Sequence, residues 1–110
     1  MLSSKDRLRS REVREVFEKG KRRTAPTFSI IFLPSTDRTA FAVTVSKKTA
    51  KNAVDRNKIR RRIYSILSKI KNFKTKVHAV FVPRKEILKT PFDVLEKEIK
   101  ESLVRATIIQ

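Results

Sequence analysis

The octet Asp55-Arg56-Asn57-Lys58-Ile59-Arg60-Arg61-Arg62 is the part of this chain best equipped for chemistry, and that chemistry is the holding of phosphate. Arginine dominates the cluster, and its planar guanidinium fork suits phosphate oxygens and base edges. The octet sits inside a larger basic window: residues 46–76 hold twelve Lys or Arg and one acid, Asp55. A field this dense repels itself and opposes folding unless a polyanion screens it. The available polyanions are nucleic acid and anionic membrane. A solvated charged face is the plainer reading of most basic helices. Here Arg60, Arg61 and Arg62 have no acid at i±4 to pair with, so polyanion binding is preferred.

Residues for catalysis are lacking. His78 is the only histidine, and a lone histidine in a strand is more often structural than catalytic. Asp93, Glu96, Glu98 and Glu101 recur at helical spacing beside Lys97 and Lys100 and read as a solvated face. No catalytic residue and no metal ligand is expected on the protein. The absence of cysteine excludes disulfides and thiolate metal sites and fits a reducing cytoplasm.

The elements that must position the octet can be read around it. With 110 residues and 39% apolar content, the chain is expected to form one RNA-binding domain over residues 1–110, with a real core. The net charge is +17, with the excess in residues 1–23 and in the middle. The longest near-apolar run, residues 28–33, is too short to cross a bilayer, and the opening residues lack the apolar stretch of a signal peptide. A non-secreted, cytoplasmic protein is expected.

Ser10 is placed to cap a helix running to Lys19, stopped by Gly20, the only glycine. Residues 21–25, ahead of Pro26, read as a short strand or an extended lead-in. Residues 28–33 and 39–45 read as strands, antiparallel to each other because the turn between them is short. Alternation puts Phe28, Ile30, Phe32, Phe41, Val43 and Val45 on a bulky core face. Ser29, Ile31, Ala42 and Thr44 fall on a smaller face that is expected to be partly open.

The basic helix is expected over about residues 49–70, with Ile59, Ile63, Ile66, Leu67 and Ile70 as its buried stripe. Arg60, Tyr64, Asn57 and Arg61 flank the stripe on one side, and Lys58, Arg62 and Lys69 on the other. Arg56, nearly in line with the stripe, should reach over the sheet edge. A strand over residues 77–82 ends at Pro83. Thr90-Pro91-Phe92-Asp93 reads as the start of a last helix, with Thr90 as N-cap. Its apolar repeat is Phe92, Leu95, Ile99, Leu103 and Ala106.

The order is α-β-β-β-α-β-α, an α+β sandwich with helices packed on a small sheet and a crossover through the basic helix. RNA is favoured over duplex DNA, since no helix-turn-helix, zinc-finger or zipper spacing is present. Membrane binding fits poorly, because the apolar stripe is needed for the core and the chain has no tryptophan.

Thr44-Val45-Ser46-Lys47-Lys48, then Ala53-Val54, then Arg56-Asn57-Lys58-Ile59-Arg60-Arg61 resembles the signature of the bacterial ribonuclease P protein subunit. Val16-Phe17 ahead of Lys19-Gly20-Lys21, and the later Val80-Phe81-Val82-Pro83-Arg84, fall in the family's order. The resemblance spans about residues 6–107. It implies a fold of ribosomal-protein type with a small mixed sheet and a left-handed crossover, against the usual hand. It implies partnership with a catalytic RNA that cuts the 5′ leader from precursor tRNA using Mg²⁺ held mainly by the RNA. No small-molecule substrate and no membrane enter that scheme.

Carried over residue by residue, Lys47, Lys48, Arg56, Asn57, Lys58, Arg60 and Arg61 would contact the catalytic RNA. Val13, Phe17, Ser29, Ile31, Ala42 and Thr44 would line a cleft for the single-stranded leader, where a flat floor suits sequence-tolerant stacking. The chain departs from the family at Val13 and Ile31, where aromatics are common. Tyr64 stands where a basic residue is common, and Thr49-Ala50-Lys51-Asn52 takes the place of the glycine usual after Ser-Lys-Lys. The alternative is a ribosomal or general RNA-binding protein without an enzymatic role.

Overall fold

The computed structural model describes residues 6–110. Residues 1–5, on which the expectation about the opening stretch falls, lie outside the described residues. The chain runs α1 (Ser10–Lys19), β1 (Lys21–Thr24), β2 (Phe28–Pro34), β3 (Ala40–Val43), α2 (Ala53–Ser68), β4 (Val77–Pro83), a 3₁₀ turn (Lys85–Lys89) and α3 (Phe92–Arg105). The order is the one expected, and the sheet is mixed.

The strand order is β1-β2-β4-β3. β2 pairs antiparallel with β1 and β4, while β3 runs parallel to β4. This corrects the expected pairing of β2 with β3: the two are not neighbours, because β4 lies between them. The physical reason is burial. Val77, Ala79, Val80 and Phe81 are all buried although they point to opposite faces, and a strand covered on both sides belongs in the middle of a sheet. α2 supplies the crossover from β3 to β4.

One sheet face carries the main core. Phe28, Ile30, Phe41, Val43, Ala79 and Phe81 pack against Ile59, Ile63, Ile66 and Leu67 of α2 and Leu95, Ile99 and Leu103 of α3. Phe28 and Phe81 meet with ring centroids 5.4 Å apart. The other face carries α1 alone, over a small cluster of Val16, Ile31, Ala42 and Val80.

Several boundaries differ from expectation. The N-cap of α1 is Arg9, whose backbone N–H donates to Glu12 Oε1 at 2.8 Å; Ser10 is already helical. Gly20 has an extended backbone, φ −76°, so it is not there for a left-handed turn. It is there for space: a Cβ would sit 2.5 Å from the Val16 carbonyl oxygen and 2.9 Å from both Ile31 Cγ2 and the Phe32 carbonyl oxygen.

α2 begins at Ala53 rather than near residue 49, because residues 46–50 close a turn. Thr49 and Ala50 donate their N–H groups to the Ser46 carbonyl, and Thr49 Oγ1 donates to the Pro83 carbonyl at 3.2 Å. This turn takes the place of the missing glycine. The N-cap of α3 is Pro91, not Thr90, whose hydroxyl closes the 3₁₀ turn on the Glu86 carbonyl. Phe92, expected in the core, is partly exposed beneath Lys69 Nζ, 5.8 Å from its ring centroid.

Candidate nucleic-acid interface

α2 is held by its apolar stripe and displays its cations opposite. Ile59, Ile63, Ile66 and Leu67 are fully buried. Asn57, Lys58 and Arg61 are exposed, Arg56 and Arg60 half-buried, and Lys47 and Lys48 exposed in the preceding turn. Among the described residues, none of these six cations has an acid within 4.0 Å; the ion pairs are Arg38–Glu12, Arg38–Asp37 and Lys100–Glu96. The N-terminal end of the α2 dipole adds positive potential on the side of Lys47 and Lys48.

Hydrogen bonds sort the cations. Arg56 does not cross the sheet edge as expected. Its Nη1 donates to the Ala50 and Lys51 carbonyls at 2.9 and 2.7 Å, so it braces the turn that carries the lysines. Arg62 donates to the carbonyls of Ile87 and Thr90, tying the 3₁₀ turn to α2; its charge serves the fold. Arg60 Nη1 donates to Asn57 Oδ1 at 3.0 Å, which fixes both side chains on the open flank.

On that flank Arg60, Arg61, Asn57, Val54, Tyr64 and Arg7 line a pocket of about 480 Å³. The Tyr64 ring is buried, and its hydroxyl accepts the Val43 N–H at 3.3 Å. The Arg7 guanidinium lies over that ring, 5.1 Å from the centroid. Sequence reasoning missed Arg7, because nothing in the linear order ties residue 7 to residue 64.

The second set of residues lies on the α1 face. The open floor expected there is corrected: Ser29, Ile31 and Ala42 are covered, at 3%, 3% and 8% exposure, because α1 lies directly on them. What remains accessible is the rim. Val13 and Thr44 are half-buried, and Phe17 is 46% exposed. Phe17 therefore has no core role.

α1 is clasped at its first turn by Arg38, another residue the sequence did not single out. Arg38 donates to both Glu12 oxygens at 2.9 and 3.1 Å, to Asp37 Oδ2 at 2.7 Å and to the Arg7 carbonyl at 3.2 Å. The Arg38 bonds and the Arg9 N–H hold the Glu12 carboxyl at a pKa of about 2, well below the usual range. Glu12, Asp37 and His78 have ligand atoms within 4.8 Å of one another, the one such trio among the described residues. Arg38 already supplies the positive charge there, and His78 Nε2 lies 3.2 Å from Ser35 Oγ. These donors do not fit a metal ion.

Fold and site together define a small α+β protein with a cationic helix whose exposed charges have no acid within 4.0 Å among the described residues. Residues 2–107 match the family model described as Ribonuclease P. The chain belongs to the ribonuclease P protein family. It is 39% identical over 107 residues to the ribonuclease P protein component of Petrotoga mobilis, covering 94% of this chain and 90% of that one. To the component from Syntrophomonas wolfei it is 38% identical over 101 residues, covering 89% and 84%.

The fold is similar to that of the RNase P protein from Staphylococcus aureus, with a TM-score of 0.84 at 20% identity, covering 96% of this chain and 98% of that one. The protein from Thermotoga maritima gives 0.81 at 24% identity, covering 90% and 96%. The chain is thus a protein component of the tRNA-processing ribonucleoprotein, and it takes part in an endoribonuclease alongside an RNA subunit. The alternative of a ribosomal protein without an enzymatic role gives way to this assignment.

Proposed function

We propose that this protein binds the catalytic RNA through the outer surface of α2 and guides the 5′ leader of precursor tRNA along the rim beside α1. The observation that carries the proposal is the arrangement of Lys47, Lys48, Lys58, Arg60 and Arg61: five cations, none with an acid partner within 4.0 Å among the described residues, on and beside a helix fixed by its buried stripe. Such a surface releases counterions from a phosphate backbone without sequence selectivity. Phe17, Val13 and Thr44 offer a single strand an apolar edge. Ser29, Ile31 and Ala42 support that edge from beneath.

Bond scission belongs to the RNA in this reading. Among the described residues, the one acid–histidine trio is closed by Arg38. The family resemblance implies Mg²⁺ held mainly by the RNA, where it would supply the cation chemistry of phosphodiester cleavage. The protein screens charge and extends the grip on substrate, in the cytoplasm, where precursor tRNA is matured.

Reconstitution tests this. The full chain, added to a bacterial ribonuclease P RNA at low Mg²⁺, is expected to stimulate cleavage of precursor tRNA. The Arg60→Ala, Arg61→Ala double variant is expected to assemble about a hundredfold more weakly at moderate salt and to flatten the salt dependence by about two phosphate contacts. Unchanged affinity and slope would mean those arginines touch no phosphate.

A further inference from the structure

The pocket between Arg7 and α2 has a lining that phosphate contact alone does not require. Three of its six residues are arginines. The other three are an amide, a buried aromatic ring and Val54. Val54 is 73% exposed on the first turn of α2, an apolar side chain set among cations. Its volume of about 480 Å³ is that of a small-molecule cleft.

The pocket is also preorganised. The backbone at residue 7 is fixed by a bridge to Phe41, by the Leu8 N–H on the Phe41 carbonyl at 2.8 Å, and by Arg38 on the Arg7 carbonyl. The Arg7 side chain lies on the Tyr64 ring, and its enclosed Nε has no hydrogen-bond partner among the described residues. A guanidinium plane without a carboxylate partner is a surface on which a base can stack, as single-stranded RNA bases do on arginine and aromatic side chains. Asn57 gives its Oδ1 to Arg60, which leaves its Nδ2 to donate to a ligand.

We infer that this pocket seats one unpaired nucleotide of the RNA partner, with the base against Arg7 and Val54 and the phosphate on Arg60 and Arg61. The inference rests on the RNA-binding reading of α2 and adds to it: the site takes a base, not only backbone, and Arg7 belongs to it. Tyr64 serves as the platform that holds Arg7. A basic residue at position 64 would add charge but no flat ring beneath Arg7.

The test is an NMR titration of the full chain with three probes: inorganic phosphate, ribose 5-phosphate and adenosine 5′-monophosphate. All three are expected to move the Arg60 and Arg61 side-chain signals. Only the nucleotide should move the Val54 methyls and the Tyr64 ring, and it should bind about fivefold or more tightly than ribose 5-phosphate. Arg7→Ala should abolish that advantage and leave phosphate binding in place. Val54→Ser, on an exposed rim where the fold is not at stake, should reduce it.

Equal responses of Val54 and Tyr64 to ribose 5-phosphate and to the nucleotide would overturn the base seat. So would an advantage that survives Arg7→Ala. Either result, with Arg60 and Arg61 still responding to phosphate, would leave the RNA-binding reading standing. That reading fails separately, through the assembly assay with the ribonuclease P RNA.

Discussion

The two faces of the sheet are covered very differently. One carries α2 and α3 over a continuous core that reaches from Phe28 to Ile109. The other carries the ten residues of α1, which packs Val16 against three buried apolar side chains of the sheet, Ile31, Ala42 and Val80. Burial therefore concentrates the stability on the α2/α3 face. The α1 face has little apolar area to spend, and its helix is fixed instead by a glycine contact and the Glu12–Arg38 clasp. The contrast bears on the proposed function: the surfaces assigned there to RNA lie where the core is thin or turned outward, on the rim of α1 and on the outer side of α2.

The sharpest way to break this comparison is to damage the thick face. Ile63→Ala removes a fully buried side chain from between α2 and the sheet. It is expected to cost about 3 kcal/mol, read by denaturant unfolding, and to weaken RNA assembly only in proportion to the unfolded fraction. A loss below about 1 kcal/mol would mean that α2 is not held by its stripe.

Gly20→Ala probes the thin face. The added methyl meets backbone oxygen on two sides, so α1 must shift. About 2 kcal/mol is expected, along with altered leader binding. A neutral result would show that α1 is loosely seated.

Phe17→Ala separates binding from stability. Its ring is half exposed, so unfolding should change little. Affinity for precursor tRNA should fall about tenfold, in the range of one lost stacking contact, while affinity for mature tRNA stays the same. Equal losses for both tRNAs would remove the leader from the α1 rim.

The smallest effect concerns acid. Glu12 titrates at about 2 in the folded protein, below its ordinary 4.5. A depressed carboxyl stabilises the fold fully above 4.5, and that contribution is lost as the pH falls through 2. Glu12→Gln is expected to cost about 1 kcal/mol at pH 7, given that the pair is partly solvated. It should also remove part of the decline seen in thermal melts between pH 5 and pH 2. The same slope in both proteins would show that Glu12 does not report on the clasp.

Much of this was legible in the sequence. The stripe of Ile59, Ile63, Ile66, Leu67 and Ile70 marked the buried side of α2, and that alone put Lys58 and Arg61 outside. The alternation of Phe28, Ile30 and Phe32 against Ser29 and Ile31 sorted the residues onto two faces, but not the cover that α1 places over the smaller one. Strand partners were not legible. A short connection suggested that β2 and β3 pair, but local pattern cannot say that a strand forty residues on will lie between them.

The fate of individual arginines was hidden too. Arg56, Arg62 and Arg60 look alike in the linear sequence, yet the first braces a turn, the second ties down Ile87 and Thr90, and the third stays beside a pocket. Carbonyl positions decide this, and they exist only once the chain has folded. Arg7 and Arg38 escaped notice for the same reason, since their partners are distant in sequence.

The inner place of β4 sets an order on synthesis. As the chain leaves the ribosome, β1 and β2 can pair with each other, but β3 emerges with no partner, followed by the whole of the arginine-rich helix. Only when residues 77–83 appear can the sheet close, β2 on one side and β3 on the other. A nascent chain halted before that point carries nearly all of its positive charge on a scaffold that cannot yet hold it. On the proposed RNA-binding reading, such a chain is expected to meet RNA as an unshaped polycation, with discrimination arriving in the last third of translation.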